Sequence, residues 1–195
     1  MTSLPLVLAS GSPRRKELLE EAGLSFTVHS QPVDESRKDQ ERPDEMALRL
    51  ARSKARVVAC SLSEPSVVLG ADTLVVVDGD ILGKPKDEAE ATNMLLRLSG
   101  RQHEVITGVA VTRAPEAEIW AVRAVRTRVL FRELNPEVVA RYVATGEPLD
   151  KAGSYGIQGL GGQLVEQTEG SFTNVVGLPM VEALECIARL GGPEH

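Results

Sequence analysis

The stretch Val67–Val77 (VVLGADTLVVV) constrains the fold of this chain more than any other. It is too short for a bilayer span, which takes about 20 apolar residues. It is also too rich in β-branched residues for a helix, so it reads as strand on either side of a polar interruption, Gly70-Ala71-Asp72-Thr73. Val76–Leu82 then reads as a hairpin turning at Asp78-Gly79. Around this centre, apolar runs alternate with helical patterns. Leu4–Ala9 is a first strand, followed by a helix with Ser12 as N-cap, Pro13 at the first position, Leu18, Leu19 and Ala22 on one face, and Gly23 at its end. Pro43 opens a second helix whose Met46, Ala47, Leu50, Ala51, Lys54 and Val58 keep three-to-four spacing, with Lys54 at the stripe's edge, placed to reach into a cleft. Further on come a helix Asp87–Leu98 capped by Asp87 with Glu90 three residues later, strands Val105–Thr112 and Ile119–Phe131 (the second long and antiparallel to a neighbour), a helix from Asn135-Pro136 to Thr145, and a last helix Met180–Leu190.

This alternation predicts a layered α/β fold. No Pro/Ser-rich linker, low-complexity tract or internal repeat divides the 195 residues, so residues 1–195 are expected to form one domain, with two lobes allowed. Residues 146–162 are glycine-rich but mixed with apolar and charged side chains, the mark of a shaped loop. Composition narrows the function. At 42% hydrophobic and 26% charged the chain matches an ordinary globular protein. No apolar run approaches a membrane span, and the first ten residues lack the basic-then-apolar layout of a leader. Two cysteines, Cys60 and Cys186, support neither a disulfide framework nor a CxxC zinc site; both are expected in helix cores, in a reducing cytoplasm. A net charge of −6 and 3% aromatics argue against nucleic-acid binding. An anionic ligand then needs a local basic cluster, with or without a metal ion.

Ser10-Gly11-Ser12-Pro13-Arg14-Arg15-Lys16, between strand and helix, supplies such a cluster: free N–H groups at a helix start, hydroxyls and two guanidiniums suit a phosphate. Asp72 lies within the most apolar stretch of the chain, where an unpaired carboxylate is costly; it suits a hard cation or proton transfer from water, or simply a turn. Gly79–Pro85 lacks the spacing of a P-loop and has Pro85 after its lysine, which leaves Lys84 as a point charge. Glu147–Gly162 (EPLDKAGSYGIQGLGG) holds no GxGxxG register, so a dinucleotide fingerprint is absent. His29, His103 and His195 show no metal spacing, no nucleophilic Ser/His/Asp set is visible, and Trp120 and Val122 read as packing. The residues alone describe an acidic enzyme for a polyanionic substrate.

Taken in order, LASGSPRRKELL, VDES, LARSKA, GADTLVVVDGDILGKP, LSGRQHEVITGVAV, EPLDKAGSYGIQGLGG and VVGLPM resemble the Maf family of nucleoside triphosphate pyrophosphatases, also called septum-formation inhibitor proteins, over essentially the whole chain. The resemblance implies a Maf/ITPase-like fold: a mixed, twisted central sheet flanked by helices, bilobed, with a deep substrate cleft. It implies hydrolysis at the α-phosphate to monophosphate and pyrophosphate with a divalent cation, Mg2+ or Mn2+. Asp72 would be the proton acceptor, and Ser10, Arg14, Arg15, Glu35, Lys54 and Lys84 the remaining polar residues of the cleft, with Glu35 and Asp72 the candidates for metal. Arg14, Thr73 and Gln158 match the branch acting on dTTP and UTP, with modified pyrimidine triphosphates as further candidates. The branch acting on 7-methyl-GTP carries Trp, Gln and Glu at those places, where Trp stacks on a cationic purine and Glu accepts from its edge. A homodimer and a house-cleaning role, with a link to division arrest, follow from the same resemblance. The rival readings are a purine-directed pyrophosphatase and a nucleotide-binding regulator of septation without turnover.

Overall fold

A computed structural model describes residues 3–118 and 120–193. Ile119, the expected start of a strand, and His195 lie outside them. The described elements are β1 (Leu6–Leu8), α1 (Pro13–Glu21), β2 (Phe26–Val28), α2 (Pro43–Ala59), β3 (Ser66–Val77), β4 (Asp80–Leu82), α3 (Glu88–Leu98), β5 (Gln102–Ala114), β6 (Trp120–Phe131), α4 (Pro136–Val143), β7 (Val165–Glu169), α5 (Phe172–Val176) and α6 (Met180–Arg189). Strand order is β2-β1-β3-β5-β6-β7, with β4 paired to β3. The sheet is mixed: β1 runs parallel to β2 and β3, whereas β3–β4 and β6–β7 are antiparallel. No described helix is long and apolar enough to cross a membrane.

The chain divides into two compact units, and β3, β5 and β6 contribute residues to both. The first comprises the described residues of Met1–Asp72, Thr107–Val125 and Gly177–His195. There Leu6 pairs with Phe26 on one side and Val67 on the other, and Leu8 with Val28 and Leu69. Two glycines set the position of α2. A Cβ on Gly70 would lie 2.8 Å from the backbone nitrogen of Ala55, and one on Gly108 would lie 2.7 Å from that of Leu48. Neither contact is sterically possible, so α2 rests on β3 and β5 at backbone distance only because both positions lack a side chain. The core beneath is accordingly small-residue rich: Ala9, Ala55, Ala59, Ala114 and Ala117 with Val7, Val58 and Val68, and Trp120 against its edge.

The second unit holds Thr73–Ile106 and Arg126–Val176. The hairpin turns as expected, with Asp78 at φ 52° and Gly79 at φ 81° and Val77 paired to Asp80. Asp87 caps α3 by accepting from the Glu90 amide at 2.8 Å, and Asn135 caps α4 from the Val138 amide at 2.9 Å. The core gathers Val75, Leu95, Leu98, Val105, Phe131, Tyr142, Tyr155 and Leu164. Within it the rings of His103, Phe131 and Tyr155 meet edge to face.

Two expectations change, and a third gains detail. Gly70–Thr73 is no interruption: β3 is continuous across it, because Asp72 meets Lys54 at 2.6 Å and a paired carboxylate can sit within an apolar strand. Cys60 is exposed, unlike buried Cys186, because α2 ends at Ala59 and Cys60 is its C-cap. The loop 146–162 contains short 3-10 turns at Glu147–Asp150, Ala152–Ser154 and Leu160–Leu164. β2, β7 and α5 left no signal, since the two strands are short and largely exposed and so carry no apolar alternation.

Candidate active site

Five of the residues singled out from sequence converge in the first unit. β1 delivers Ser10 and the first turn of α1 delivers Arg15, both buried. Three cations at a helix start oppose the helix dipole, and Arg15 resolves this by turning inward. Its Nε donates to the Gly177 carbonyl at 2.8 Å and its Nη1 to Ser10 Oγ at 3.0 Å. Ser12 is the backbone N-cap, but its side chain caps nothing; its amide donates to Ser10 Oγ at 3.3 Å. Lys16 pairs outward with Glu20. Burial lowers the Arg15 pKa, and Asp72 and Glu35 oppose that shift by Coulomb attraction.

Gly70 and Asp72 lie two apart in β3 and therefore on one face. The helix that Gly70 admits is thus the helix whose Lys54 meets Asp72. Lys54 Nζ lies 2.6 Å from Asp72 Oδ1 and 2.6 Å from Glu35 Oε1, one ammonium between two carboxylates. Asp72 is 7% exposed as a residue, whereas the Glu35 side chain is 61% exposed. Burial pushes the Asp72 carboxyl above its ordinary value, and Lys54 and then Arg15 pull it back. Its second oxygen, Oδ2, accepts no hydrogen bond among the described residues.

The other expected residues are placed separately. Arg14 is half-buried beside Arg15, and half-buried Thr73 follows Asp72 along β3. Lys84 and Gln158 are exposed and belong to the second unit. Gln158 sits in a loop tied down by Glu147, whose carboxylate accepts from the Tyr142 hydroxyl at 2.9 Å and from the amides of Leu160 at 3.0 Å and Gly161 at 3.1 Å.

The description "Maf-like protein" fits residues 5–190. The chain belongs to the Maf family. A relative from Moorella thermoacetica named "dTTP/UTP pyrophosphatase" is 53% identical over 186 residues, covering 95% of each chain. Another of that name, from Citrifermentans bemidjiense, is 48% identical over 191 residues and covers 98% of each. A solved HAM1 protein from Coxiella burnetii overlaps 66% of this chain and 73% of its own at a TM-score of 0.46 and 19% identity, too slight a likeness to carry an argument.

A divalent ion suits this Maf site in one form only. No group of three or more His, Cys, Asp or Glu side chains gathers among the described residues, so a closed protein cage is absent there. Two carboxylates already sharing one cation, Glu35 and Asp72, do fit a hard ion of the Mg2+ type, which takes one or two carboxylates and completes its shell with phosphates and water. Sequence reasoning missed Arg49 and Glu41, which brace the segment carrying Glu35, and the Tyr142–Glu147 pair. Arg49 carries no motif of its own, since its partners Glu41 and Ser36 lie eight and thirteen residues upstream in irregular chain.

Proposed function

We propose that this Maf-family chain hydrolyses nucleoside triphosphates, dTTP and UTP foremost, at the α-phosphate. Water adds to the α-phosphorus, the bond to the bridging oxygen of the β-phosphate breaks, and monophosphate and pyrophosphate leave. The observation that carries this reading is the buried Asp72 carboxylate, whose Oδ1 is held by Lys54 and whose Oδ2 accepts no hydrogen bond among the described residues. Such a group can take a proton from a water at Oδ2, its carboxyl raised by burial and drawn back part of the way by Lys54. Ser10, Arg14 and Arg15 at the start of α1 bind phosphate oxygens, and Lys84 adds a point charge to the leaving pyrophosphate. Glu35 and Asp72 would hold Mg2+ or Mn2+, whose charge, when bound, neutralises the phosphates. The names of the two relatives support the pyrimidine triphosphates, as do Arg14, Thr73 and Gln158 as the base-selecting set.

In this reading residues 1–195 act as one pyrophosphatase domain, a homodimer of the cytoplasm that clears the nucleotide pool. The deciding experiment is pyrophosphate release from a panel of triphosphates with Mg2+ or Mn2+, comparing the parent chain with Asp72→Asn. We expect turnover of dTTP and UTP and a loss of about 10³-fold in kcat in the variant. Turnover of 7-methyl-GTP instead would overturn the base-selecting set. Binding without turnover on any triphosphate would make the chain a nucleotide-dependent regulator.

A further inference from the structure

Glu35 is an exposed residue on a segment without helix or strand, residues 29–42, yet its carboxylate lies 2.6 Å from the mostly buried Lys54. Something must hold that segment against α2, and the contacts show what does. Arg49, on α2, donates through Nε to Glu41 Oε1 at 2.6 Å and through Nη2 to Glu41 Oε2 at 2.8 Å. This is the two-pronged match of a guanidinium to a carboxylate. The same Nη2 donates to the Ser36 carbonyl at 2.9 Å, one residue from Glu35. Glu41 in turn ties the segment to itself: its Oε2 accepts from the Lys38 amide at 3.1 Å, and its carbonyl accepts from Arg37 Nε at 3.1 Å and Nη2 at 2.9 Å. The turn it closes contains Gln40 at φ 54°, a left-handed conformation that a non-glycine residue keeps only where its surroundings dictate it.

The pair is also better protected than an ordinary surface ion pair, with side chains 21% and 9% exposed for Arg49 and Glu41. Hydrogen bonds from Arg49 hold the Glu41 carboxyl at about 2, well below the usual carboxylate range. One side chain on a regular helix thus grips the loop at residues 36 and 41, and Glu35 lies one residue before the first of those grips.

We propose that Arg49 and Glu41 form a clasp that positions the Glu35 carboxylate over Lys54 and opposite Asp72, making them positioning residues for the cation and triphosphate end of the site. The inference rests on the pyrophosphatase reading, in which Glu35 faces the metal. Without the clasp Glu35 belongs to a solvent-exposed loop and samples many positions, so its contribution is lost although the residue itself remains.

The test is a double-mutant cycle of Arg49→Lys, which keeps the charge but loses the fork, with Glu35→Gln. Mn2+ binding is titrated by electron paramagnetic resonance in the presence of an α,β-imido analogue of dTTP, and dTTP turnover is measured in parallel. Removing an outer partner of a metal ligand costs about tenfold or more in metal affinity. Arg49→Lys is therefore expected to weaken Mn2+ binding about tenfold when Glu35 is present and to change nothing further in the Glu35→Gln background. Glu41→Gln should behave in the same way, and amide exchange at Ser36 and Lys38 should quicken in both single variants. Equal weakening with and without Glu35, or none in either, overturns the clasp. A parent chain that turns over no triphosphate fails the pyrophosphatase reading instead, and the Mn2+ titrations still decide the clasp.

Discussion

Lys54 acts on the site in two ways. It offsets the burial of Asp72, and it occupies the oxygen Oδ1 that would otherwise compete for the same proton. Replacing Lys54 by Met removes the attraction that pulls the Asp72 carboxyl down and leaves burial to push it up. The acidic limb of kcat/KM against pH is therefore expected to move to higher pH in Lys54→Met. An unmoved limb would mean that another group titrates there. A second buried group reports on stability. His103 is 2% exposed, with Nε2 2.8 Å from the Tyr155 hydroxyl, and burial lowers its pKa from 6.5 to about 4. The unfolded chain takes up this proton below about pH 6.5, whereas the fold resists it down to about pH 4. His103 thus favours the fold fully above pH 6.5 and progressively less as the pH falls to 4, by at most about 3 kcal/mol. Urea unfolding at pH 7 and pH 5 should show this loss, and His103→Gln, which keeps a hydrogen-bonding partner for Tyr155 without titrating, should reduce it.

α2 is the element on which the site depends. Its amphipathic stripe, its opening at Pro43 and Lys54 at the stripe's edge were all legible in sequence, because periodicity and capping are local. Its height above the sheet was not, since nothing in the sequence around Gly70 or Gly108 says which helix packs against them. Alanine at Gly70 must push the Ala51–Ala55 turn away from β3. We expect about 3 kcal/mol of destabilisation, typical of overpacking. A drop in kcat/KM beyond that of an equally destabilised variant in the second unit is also expected, because Lys54 moves with the turn. The loop 146–162 depends similarly on one carboxylate. Glu147→Ala leaves the amides of Leu160 and Gly161 without their acceptor, at a cost of about 2 kcal/mol. Faster exchange of those two amides would register it.

At the scale of the molecule, a chain of net charge −6 binding a triphosphate must rely on a local concentration of cations rather than a general field. Arg14, Arg15 and Lys54 provide it within the first unit. A nucleotide that binds only the folded chain stabilises it by mass action, about 2.7 kcal/mol at a hundredfold excess over Kd. A non-hydrolysable dTTP analogue with Mg2+ should therefore raise Tm, and this should persist in Asp72→Asn, which keeps the cations. A chain whose Tm ignores the nucleotide in both forms would count against the site.

Sequence by itself determined what local chemistry determines. The α/β class, the Asp78-Gly79 hairpin, the capped starts of α3 and α4 and the inward bias of Asp72 follow from periodicity, turn preference and the cost of burying charge. The ordered motifs carried the family, because seven segments in order leave little room for another fold. Tertiary structure alone decided which charges meet. That β3 runs unbroken through Asp72, that Arg15 turns inward to Ser10 and the Gly177 carbonyl, and that Arg49 braces the segment bearing Glu35 all depend on partners brought together by packing. Such contacts have no period and no fixed spacing, and the same physics exposed Cys60, one residue past the end of the stripe that was expected to bury it.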